Sequence, residues 1–302
     1  MDLKSKIVLI YGPTASGKSE FAIKLAKKIK GEIVNADSMQ VYKELKILSA
    51  RPIKKNFKKI KHHLYGFKNA KNNFSTGDWL KIIIKKINDI KKTKKVPILV
   101  GGTGLYFKAL IEGLVEVPSI PLKFRNQIRS LQKSIGQKKF YEKLLNIDPL
   151  IINQIKPNDV QRTIRAYEVK MFTKKSLIEW YKNTKSKFRK KDFLRLYIDH
   201  SRPELIKKIY DRSKKMLETG AIKEVKQFNK LKILKDKSIT KAIGLSEIKD
   251  LIKKKLSKEE VIEKISIKTR QYAKRQVTWA RGHMTNWKKI KPEEIDKFLK
   301  KI

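Results

Sequence analysis

The residues of this chain with the clearest chemical potential form a short loop near its start. The loop is Gly12–Ser19, GPTASGKS, which fits the phosphate-binding pattern G-x-x-x-x-G-K-[ST]. Its glycines allow successive backbone amides to point inward at an anion, and a helix that begins in the loop adds positive potential. Lys18 would neutralise the outer phosphate, and the Ser19 hydroxyl would bind Mg²⁺. The pattern, typical of ATP-binding proteins, predicts a diphosphate site without specifying the diphosphate compound.

A carboxylate is predicted to lie close to this loop. Asp37 comes directly after the second predicted strand, and groups at the carboxyl ends of parallel strands face the same crevice. There Asp37 would act as a base beside the bound phosphates. The alternatives are that it caps a following helix or makes a secondary contact to Mg²⁺.

One arginine is predicted to lie on the buried face of a helix. The spacing predicts a helix from Pro203 to Thr219, with an apolar stripe that contains Leu205, Ile209 and Met216. Arg212 lies on the same stripe. A charge at such a position needs an anionic partner, which would be either a buried Asp or Glu or a bound phosphate group.

Strands and helices alternate along the first part of the chain. Lys6–Tyr11 has the continuous apolar pattern of a buried parallel strand, and Lys18–Ile29 has helical spacing. Glu32–Val34, Val96–Val100 and Phe193–Asp199 are further predicted strands. We therefore expect an α/β fold, a P-loop NTPase-like parallel sheet flanked by helices.

A long polar, Lys-rich region without a convincing strand interrupts this pattern. We expect residues 118–190 to form a helical insertion domain, and residues 1–117 and 191–302 to form the core that carries the phosphate loop. After the last predicted strand the chain is mostly helical, and Ser257 begins a capping box with Glu260.

The composition excludes several classes of protein. The chain has no cysteine, so there is no disulfide framework, thiolate metal site or cysteine nucleophile. Its first apolar run, Ile7–Tyr11, is too short for the core of a signal peptide, and no stretch approaches the ~20 apolar residues of a membrane span. We therefore expect a cytoplasmic protein with no membrane partner.

The charge is strongly unbalanced. There are 75 Lys and Arg against 29 Asp and Glu, a formal net charge of +46, which indicates a polyanionic partner such as nucleic acid. The alternative is codon bias, since only 12 of the basic residues are Arg and the chain is also rich in Ile and Asn, as an AT-rich genome would produce. Because Lys does not replace the bidentate fork of Arg, each Arg is of particular interest at phosphate and carboxylate sites.

Six segments, taken in order, resemble those of bacterial tRNA dimethylallyltransferases, the tRNA isopentenyltransferase family. These segments are Gly12–Ser19, Asn35–Tyr42, His62–Leu64, Gly101–Tyr106, Pro157–Arg162 and Thr269–Gln276. The first alone is common to many kinases, but the ordered set spans essentially the whole chain. Two alternatives are a small-molecule kinase, which would turn over ATP, and a nucleic-acid-binding module, which would leave the phosphate loop unexplained.

The resemblance implies a prenyl transfer reaction. The family transfers a dimethylallyl group from dimethylallyl diphosphate to the exocyclic amine of the tRNA adenosine directly 3′ of the anticodon, and releases diphosphate. It thus implies the tRNA anticodon stem-loop and dimethylallyl diphosphate as partners, Mg²⁺ as cofactor with Ser19 as its ligand, and no hydrolysis of ATP. We expect a monomer.

The resemblance also implies roles for individual residues. Asp37 would accept the proton of the amine, Thr14 would contact the donor oxygen that is cleaved, and Arg212 would bind the diphosphate. The residues expected to bind the diphosphate are Gly12, Pro13, Thr14, Ala15, Ser16, Gly17, Lys18 and Ser19. The residues expected to contact tRNA are Asp37, Ser38, Met39, Gln40, Thr103, Arg125, Gln161, Arg162, Thr163, Ile164 and Arg165.

The chain departs from the family pattern in the segment after Asp37. Leu48-Ser49 replaces a common Gly-Thr, Ala50-Arg51-Pro52 stands where Ala-Lys-Pro is usual, and Tyr65-Gly66-Phe67 follows the His pair where Ile-Asp is usual. His62 and His63 are not expected to bind a metal, since adjacent side chains diverge. In the helix after Ser257, Tyr272, Gln276 and Trp279 share one face, whose two aromatic residues are predicted to be core. The face with Arg270, Lys274 and Arg281 is the RNA candidate.

Overall fold

A parallel β-sheet organises the larger part of the molecule. The computed structural model describes residues 3, 5–53, 57, 59–182 and 184–302. Within them the sheet has the strand order β3-β2-β4-β1-β5-β6, and every pairing is parallel. The strands are β1 (Ile7–Tyr11), β2 (Gly31–Asn35), β3 (His62–His63), β4 (Val96–Gly101), β5 (Phe193–Ile198) and β6 (Lys288–Ile290). The predicted α/β fold with a parallel sheet is confirmed.

Helices cover both faces of the sheet, and a further set lies in the insertion. They are α1 (Lys18–Lys28), α2 (Thr76–Lys92), α3 (Gly104–Glu112), α4 (Leu122–Ile147), α5 (Val160–Thr173), α6 (Leu177–Lys182), α7 (Arg202–Glu218), α8 (Ala221–Lys230), α9 (Leu245–Ile252), α10 (Lys258–His283) and α11 (Ile295–Lys300). The predicted capping box is confirmed, because the Ser257 side chain accepts from the Glu260 amide and the Glu260 side chain accepts from the Ser257 amide. None of the helices in the described residues combines the length and apolar character needed to cross a membrane.

The core of the sheet lies on both of its faces, which explains the continuous apolar sequence of β1. All five residues of β1 are buried. Ile7, Leu9 and Tyr11 pack into one apolar cluster, while Val8 and Ile10 pack into another on the opposite face. This is the period-two alternation of a strand that is covered on both sides.

The chain divides into two compact units. The first comprises Met1–Ile111 and Phe188–Ile302, and the second comprises Glu112–Lys187. The insertion had been predicted at residues 118–190, so the second unit begins and ends somewhat earlier along the chain.

The second unit is helical and has its own core. It contains α4, α5 and α6, and its buried residues include Phe140, Leu144 and Val169. The helix α4 is interrupted at Gly136, whose φ of 79° lies in the left-handed region that only glycine adopts without strain. The unit therefore has two helical segments in α4 that meet at this glycine.

Candidate active site

The phosphate loop leaves the carboxyl end of the central strand β1 and enters α1. Ala15 and Gly17 both have positive φ angles, 64° and 80°, which curl the loop. A Cβ atom added to Gly12 would lie only 2.6 Å from Ser16 Oγ, so the loop has no room for a side chain there. The Lys18 side chain lies back over the loop, and its Nζ donates to the Pro13 carbonyl at 3.1 Å. The sequence pattern thus forms the expected cradle of backbone groups.

Lys18 has an altered proton affinity in this cradle. The pKa of the Lys18 ammonium is lowered from 10.5 to about 8, mainly by burial; the Asp37 carboxylate opposes the change, and the nearby Arg212 cation adds to it. A doubly charged anion next to Lys18 would reverse the effect. The cradle is therefore electrostatically suited to an anionic ligand.

A cavity of about 430 Å³ opens beside the loop and brings most of the predicted site residues together. It is lined by residues 14–20, 37–40, 48–50, Arg212, Ser213, Met216, residues 241–243, Ile265, Thr269, Tyr272, Arg275 and Gln276. Six of the eight residues predicted to bind diphosphate, 14–19, line it. Gly12 and Pro13 do not line it and are buried in the loop.

Asp37 lies in this cavity, and one of its oxygens is already engaged. Asp37 Oδ1 accepts from the Met39 amide at 2.9 Å and from the Gln40 amide at 3.4 Å. The alternative that Asp37 caps a helix is wrong, because the described residues that follow it form a turn. This turn fixes the carboxylate at the carboxyl end of β2, facing the phosphate loop as the strand order requires.

Thr103 and Gln40 hold this turn in place. Thr103 Oγ1 accepts from the Ser38 amide at 3.0 Å and donates to Ser38 Oγ at 3.3 Å. Gln40 Nε2 donates to the carbonyls of Ser49 and Ala50 at 3.0 and 3.3 Å. Met39 and Gln40 line the cavity, whereas Thr103 supports it from behind.

Arg212 reaches the phosphate loop from α7. Its Nη1 donates to Thr14 Oγ1 at 2.9 Å. Burial lowers the pKa of the guanidinium, and the Asp37 carboxylate opposes this shift. No carboxylate of the described residues forms an ion pair with Arg212, so the alternative of a buried acidic partner does not hold there. The cation instead faces the cavity, where a bound anion would be its partner.

Gln276 has a role that the sequence did not indicate. Its Oε1 accepts from the Thr14 amide at 2.9 Å, and its Nε2 donates to the Gly102 carbonyl at 2.8 Å. Its backbone carbonyl accepts from the Tyr11 hydroxyl at 2.9 Å. The prediction that the aromatic residues of this face of α10 belong to the core holds for Trp279, which packs against it, but not for Tyr272, which lines the cavity. A polar glutamine on an otherwise apolar face was the available signal.

An apolar wall completes the cavity and was also missed. It consists of Leu48, Met216, Ala242, Ile243 and Ile265. These residues come from four separate segments of the chain, so no local pattern brings them together. A pocket lined by both charged and aliphatic groups is suited to a ligand that joins an anion to a short hydrocarbon.

In the second unit, three arginines surround one buried carboxylate. Glu168 is only 1% exposed, and its carboxylate lies 3.3 Å from Arg125 Nε, 3.7 Å from Arg129 Nε and 3.4 Å from Arg165 Nη1. The three arginine side chains remain 37 to 45% exposed. The group carries a net charge of +2 and presents guanidinium edges at the surface of the unit.

The other predicted tRNA contacts in this unit differ in exposure. Arg162 is largely exposed and pairs with Asp159 at 3.3 Å. Thr163 and Ile164 are buried, and Thr163 Oγ1 donates to the Asp159 carbonyl at 2.7 Å. Direct side-chain contact with RNA is therefore not available to these two residues, because they are buried within the helical unit. Gln161 is exposed beside them.

The two adjacent histidines are engaged with protein groups. His63 Nε2 lies 2.7 Å from Glu32 Oε2, and His62 stacks on Phe57 with 3.9 Å between ring centroids. Burial lowers the pKa of His62. In the described part of the chain, no group of three or more His, Asp or Glu side chains is arranged to hold a metal ion.

Comparison with protein families shows which family the chain belongs to. The model of the family described as IPP transferase matches residues 40–283. The chain belongs to this family. The resemblance predicted from the sequence motifs is thereby confirmed.

Named relatives and solved structures cover nearly the same length. The tRNA dimethylallyltransferase of Pelagibacter ubique is 59% identical over 100% of this chain and 96% of its own, and that of Agrobacterium fabrum is 39% identical over 97% and 99%. The crystal structure of a tRNA isopentenylpyrophosphate transferase from Staphylococcus epidermidis matches with a TM-score of 0.68 and 32% identity, covering 98% of this chain and 96% of that one. A eukaryotic dimethylallyltransferase acting on tRNA matches with a TM-score of 0.81 and 32% identity, over 91% and 69%.

Proposed function

We propose that this family member transfers a dimethylallyl group from dimethylallyl diphosphate to the exocyclic amine of the tRNA adenosine directly 3′ of the anticodon. The observation that carries the proposal is the make-up of the cavity. The phosphate loop, the Asp37 carboxylate and an aliphatic wall line one space. A nucleoside kinase shares the loop but has no need for a short aliphatic wall beside it.

The chemistry requires a leaving group, a positioned amine and a proton acceptor. The bond between donor C1 and the diphosphate oxygen breaks, the bond between C1 and the adenine nitrogen forms, and the amine proton passes to Asp37. The Oδ1 atom of Asp37 is held by the Met39 amide, which leaves Oδ2 to face the amine. Lys18 and Arg212 would disperse the charge that grows on the departing diphosphate, a role for preorganised cations.

Thr14 links the two ends of this arrangement. Its amide is fixed by Gln276 and its hydroxyl accepts from Arg212. With the hydroxyl acting as acceptor toward Arg212, its proton is available for the donor oxygen that is cleaved. This geometry supports the role that the family resemblance implies for Thr14.

The residues present also fit a Mg²⁺ ion. Ser19 and Asp37 supply oxygen atoms to the same cavity, and Mg²⁺ in phosphate sites takes one or two protein oxygens with the remainder from phosphates and water. Bound there, the ion would neutralise charge on the diphosphate. Ser19, at the start of α1, is the residue we expect to hold it.

The tRNA side of the reaction rests on charge and exposure. The exposed edges of Arg125, Arg129 and Arg165 and the exposed Arg162 would contact phosphates or base edges of the anticodon stem-loop. The target adenosine must leave the base stack for its amine to reach a carboxylate in a cavity.

The proposal is tested by offering labelled dimethylallyl diphosphate, labelled ATP and bulk tRNA to the same preparation. We expect label from the prenyl donor in tRNA, and mass spectrometry of nucleosides should show one adenosine that has gained a dimethylallyl group. Turnover of ATP stimulated by a small acceptor, with unmodified tRNA, would refute the proposal in favour of a kinase. Binding of tRNA without turnover of either compound would refute it in favour of a binding module.

A further inference from the structure

One glutamate outside the cavity accepts hydrogen bonds from the loop that forms part of the aliphatic wall. Glu224 lies in the first turn of α8, and its Oε1 accepts from the Lys46 amide at 2.6 Å and from the Ile47 amide at 2.8 Å. Its Oε2 accepts from the Leu48 amide at 3.0 Å. Three successive backbone amides thus converge on one carboxylate, the arrangement in which loops bind anions.

The loop bound by Glu224 forms part of the cavity lining. Leu48 and Ser49 line the cavity, and Leu48 is only 6% exposed. The Leu48 side chain packs on Gly244, where an added Cβ would lie 2.8 Å from Leu48 Cδ2. The Ser49 carbonyl accepts from Gln40 Nε2 at 3.0 Å, so the same loop is joined to the turn that contains Asp37.

We propose that Glu224 is a positioning residue for the donor site: it fixes the backbone of residues 46–48 and thereby places Leu48 against the hydrocarbon end of the donor. The inference rests on the proposed prenyl transfer. Glu224 does not line the cavity beside the phosphate loop, so it acts through the loop and not on the substrate itself. Leu48 adds a side chain where the family usually has glycine, and this side chain narrows the cavity.

The chemistry of the carboxylate makes the proposal specific. In Glu224→Gln, the remaining oxygen still accepts from Lys46 and Ile47, while the new NH₂ group faces the Leu48 amide, so two donors oppose each other. The loop is then released mainly at Leu48. Removing a charged hydrogen-bond acceptor in this way should raise KM for the donor about tenfold, with kcat changed far less.

The experiment uses the full-length protein with tRNA and two donors, dimethylallyl diphosphate and the longer geranyl diphosphate. Glu224→Gln and Leu48→Gly are the test variants. Glu218→Gln, at an exposed position of α7, makes the same change of charge and is the control. The quantity compared is the ratio of kcat/KM for the two donors, beside KM for tRNA and the thermal unfolding midpoint.

We expect both test variants to shift this ratio toward geranyl diphosphate by tenfold or more, with KM for tRNA within twofold of the parent and the control unchanged. A change in this ratio cannot arise from a less stable protein, because a smaller folded fraction lowers kcat/KM for both donors by the same factor. If the parent is active and both test variants keep its ratio of kcat/KM for the two donors, the inference about Glu224 is refuted but the proposed function is not. A parent that makes no prenylated tRNA refutes the proposed function, and this inference with it.

Discussion

Arg212 and Thr14 are 198 positions apart in the sequence, yet Arg212 Nη1 donates to Thr14 Oγ1 at 2.9 Å. The contact joins α7 to the phosphate loop. It also places a guanidinium with no ion pair among the described residues at the edge of the cavity. Because a cation in such a position is stabilised by a ligand of opposite charge, the contact leads to a prediction about donor binding.

Arg212→Ala should lower kcat/KM for dimethylallyl diphosphate by roughly 10²–10³-fold, the range for removing one preorganised donor at a developing charge. The salt dependence of tRNA binding should stay almost unaltered. Donor-saturation kinetics and tRNA titrations at several salt concentrations measure the two effects. Arg202→Ala, at an exposed position of the same helix, is the control. A changed salt slope for Arg212→Ala would assign this residue to the RNA surface instead.

Two substitutions separate the possible roles of Asp37. Asp37→Asn keeps an oxygen that accepts from the Met39 amide, so the turn is preserved while the base is lost. It should lower turnover by roughly 10²–10⁴-fold, as expected for a general base, with tRNA affinity nearly unchanged. Asp37→Ala removes both functions and should lower turnover at least as far. If Asp37→Asn stays within a few-fold of the parent in single-turnover assays, the residue only closes the turn.

The sequence predicted those parts of the site that depend on local physics. The phosphate loop follows from its glycines and Lys18, and the position of Asp37 follows from its place at the end of β2. Parallel strands require this end of the sheet to be the site. Arg212 was found because a charge on an apolar stripe is costly without a partner.

The remainder of the site depends on contacts between distant segments. Gln276 meets Thr14 across 262 positions, and Glu224 meets Leu48 across 176. Neither residue has a local pattern that predicts its partner, because a glutamine or glutamate on a helix is ordinarily a solvated side chain. The burial of Thr163 and Ile164 was missed for a related reason: a motif identifies a segment, whereas the helix phase decides which of its residues are exposed.

Lys18 should make donor binding depend on pH. Its pKa is lowered to about 8 in the free protein, and the diphosphate raises it, so Lys18 is protonated before and after binding at pH 7. As the pH rises above 8 an increasing fraction of the free protein has lost this proton, and binding must take one up. The affinity for dimethylallyl diphosphate, without tRNA, should therefore fall as pH rises from 8 to 9.5.

Calorimetry in two buffers of different ionisation enthalpy measures this proton uptake. Lys18→Met should bind the donor more weakly and lose the proton uptake that appears above pH 8 in the parent. The comparison of parent and variant also corrects for protons bound by the donor itself. Equal proton uptake in the parent and in Lys18→Met would contradict the assignment to Lys18.

Substitution of Glu168 tests two roles of its carboxylate, its charge and its orienting contacts, which have opposite effects on tRNA affinity. Glu168→Gln removes the negative charge that pairs with Arg125, Arg129 and Arg165, so a purely electrostatic attraction would bind tRNA more tightly. If the carboxylate instead orients the three guanidinium groups toward RNA phosphates, binding should weaken, by about tenfold if one well-placed charged contact is lost. The slope of log affinity against log salt should then decrease, by about 0.7 per lost contact on a single-stranded loop. Arg129→Ala should decrease the slope by a similar amount, whereas Lys143→Ala, at an exposed position of the same unit, controls for the loss of one positive charge. Tighter binding by Glu168→Gln would refute the orienting role of the carboxylate. Unchanged binding, with an unchanged slope for Arg129→Ala, would remove this cluster from the RNA interface and leave it a structural element of the helical unit.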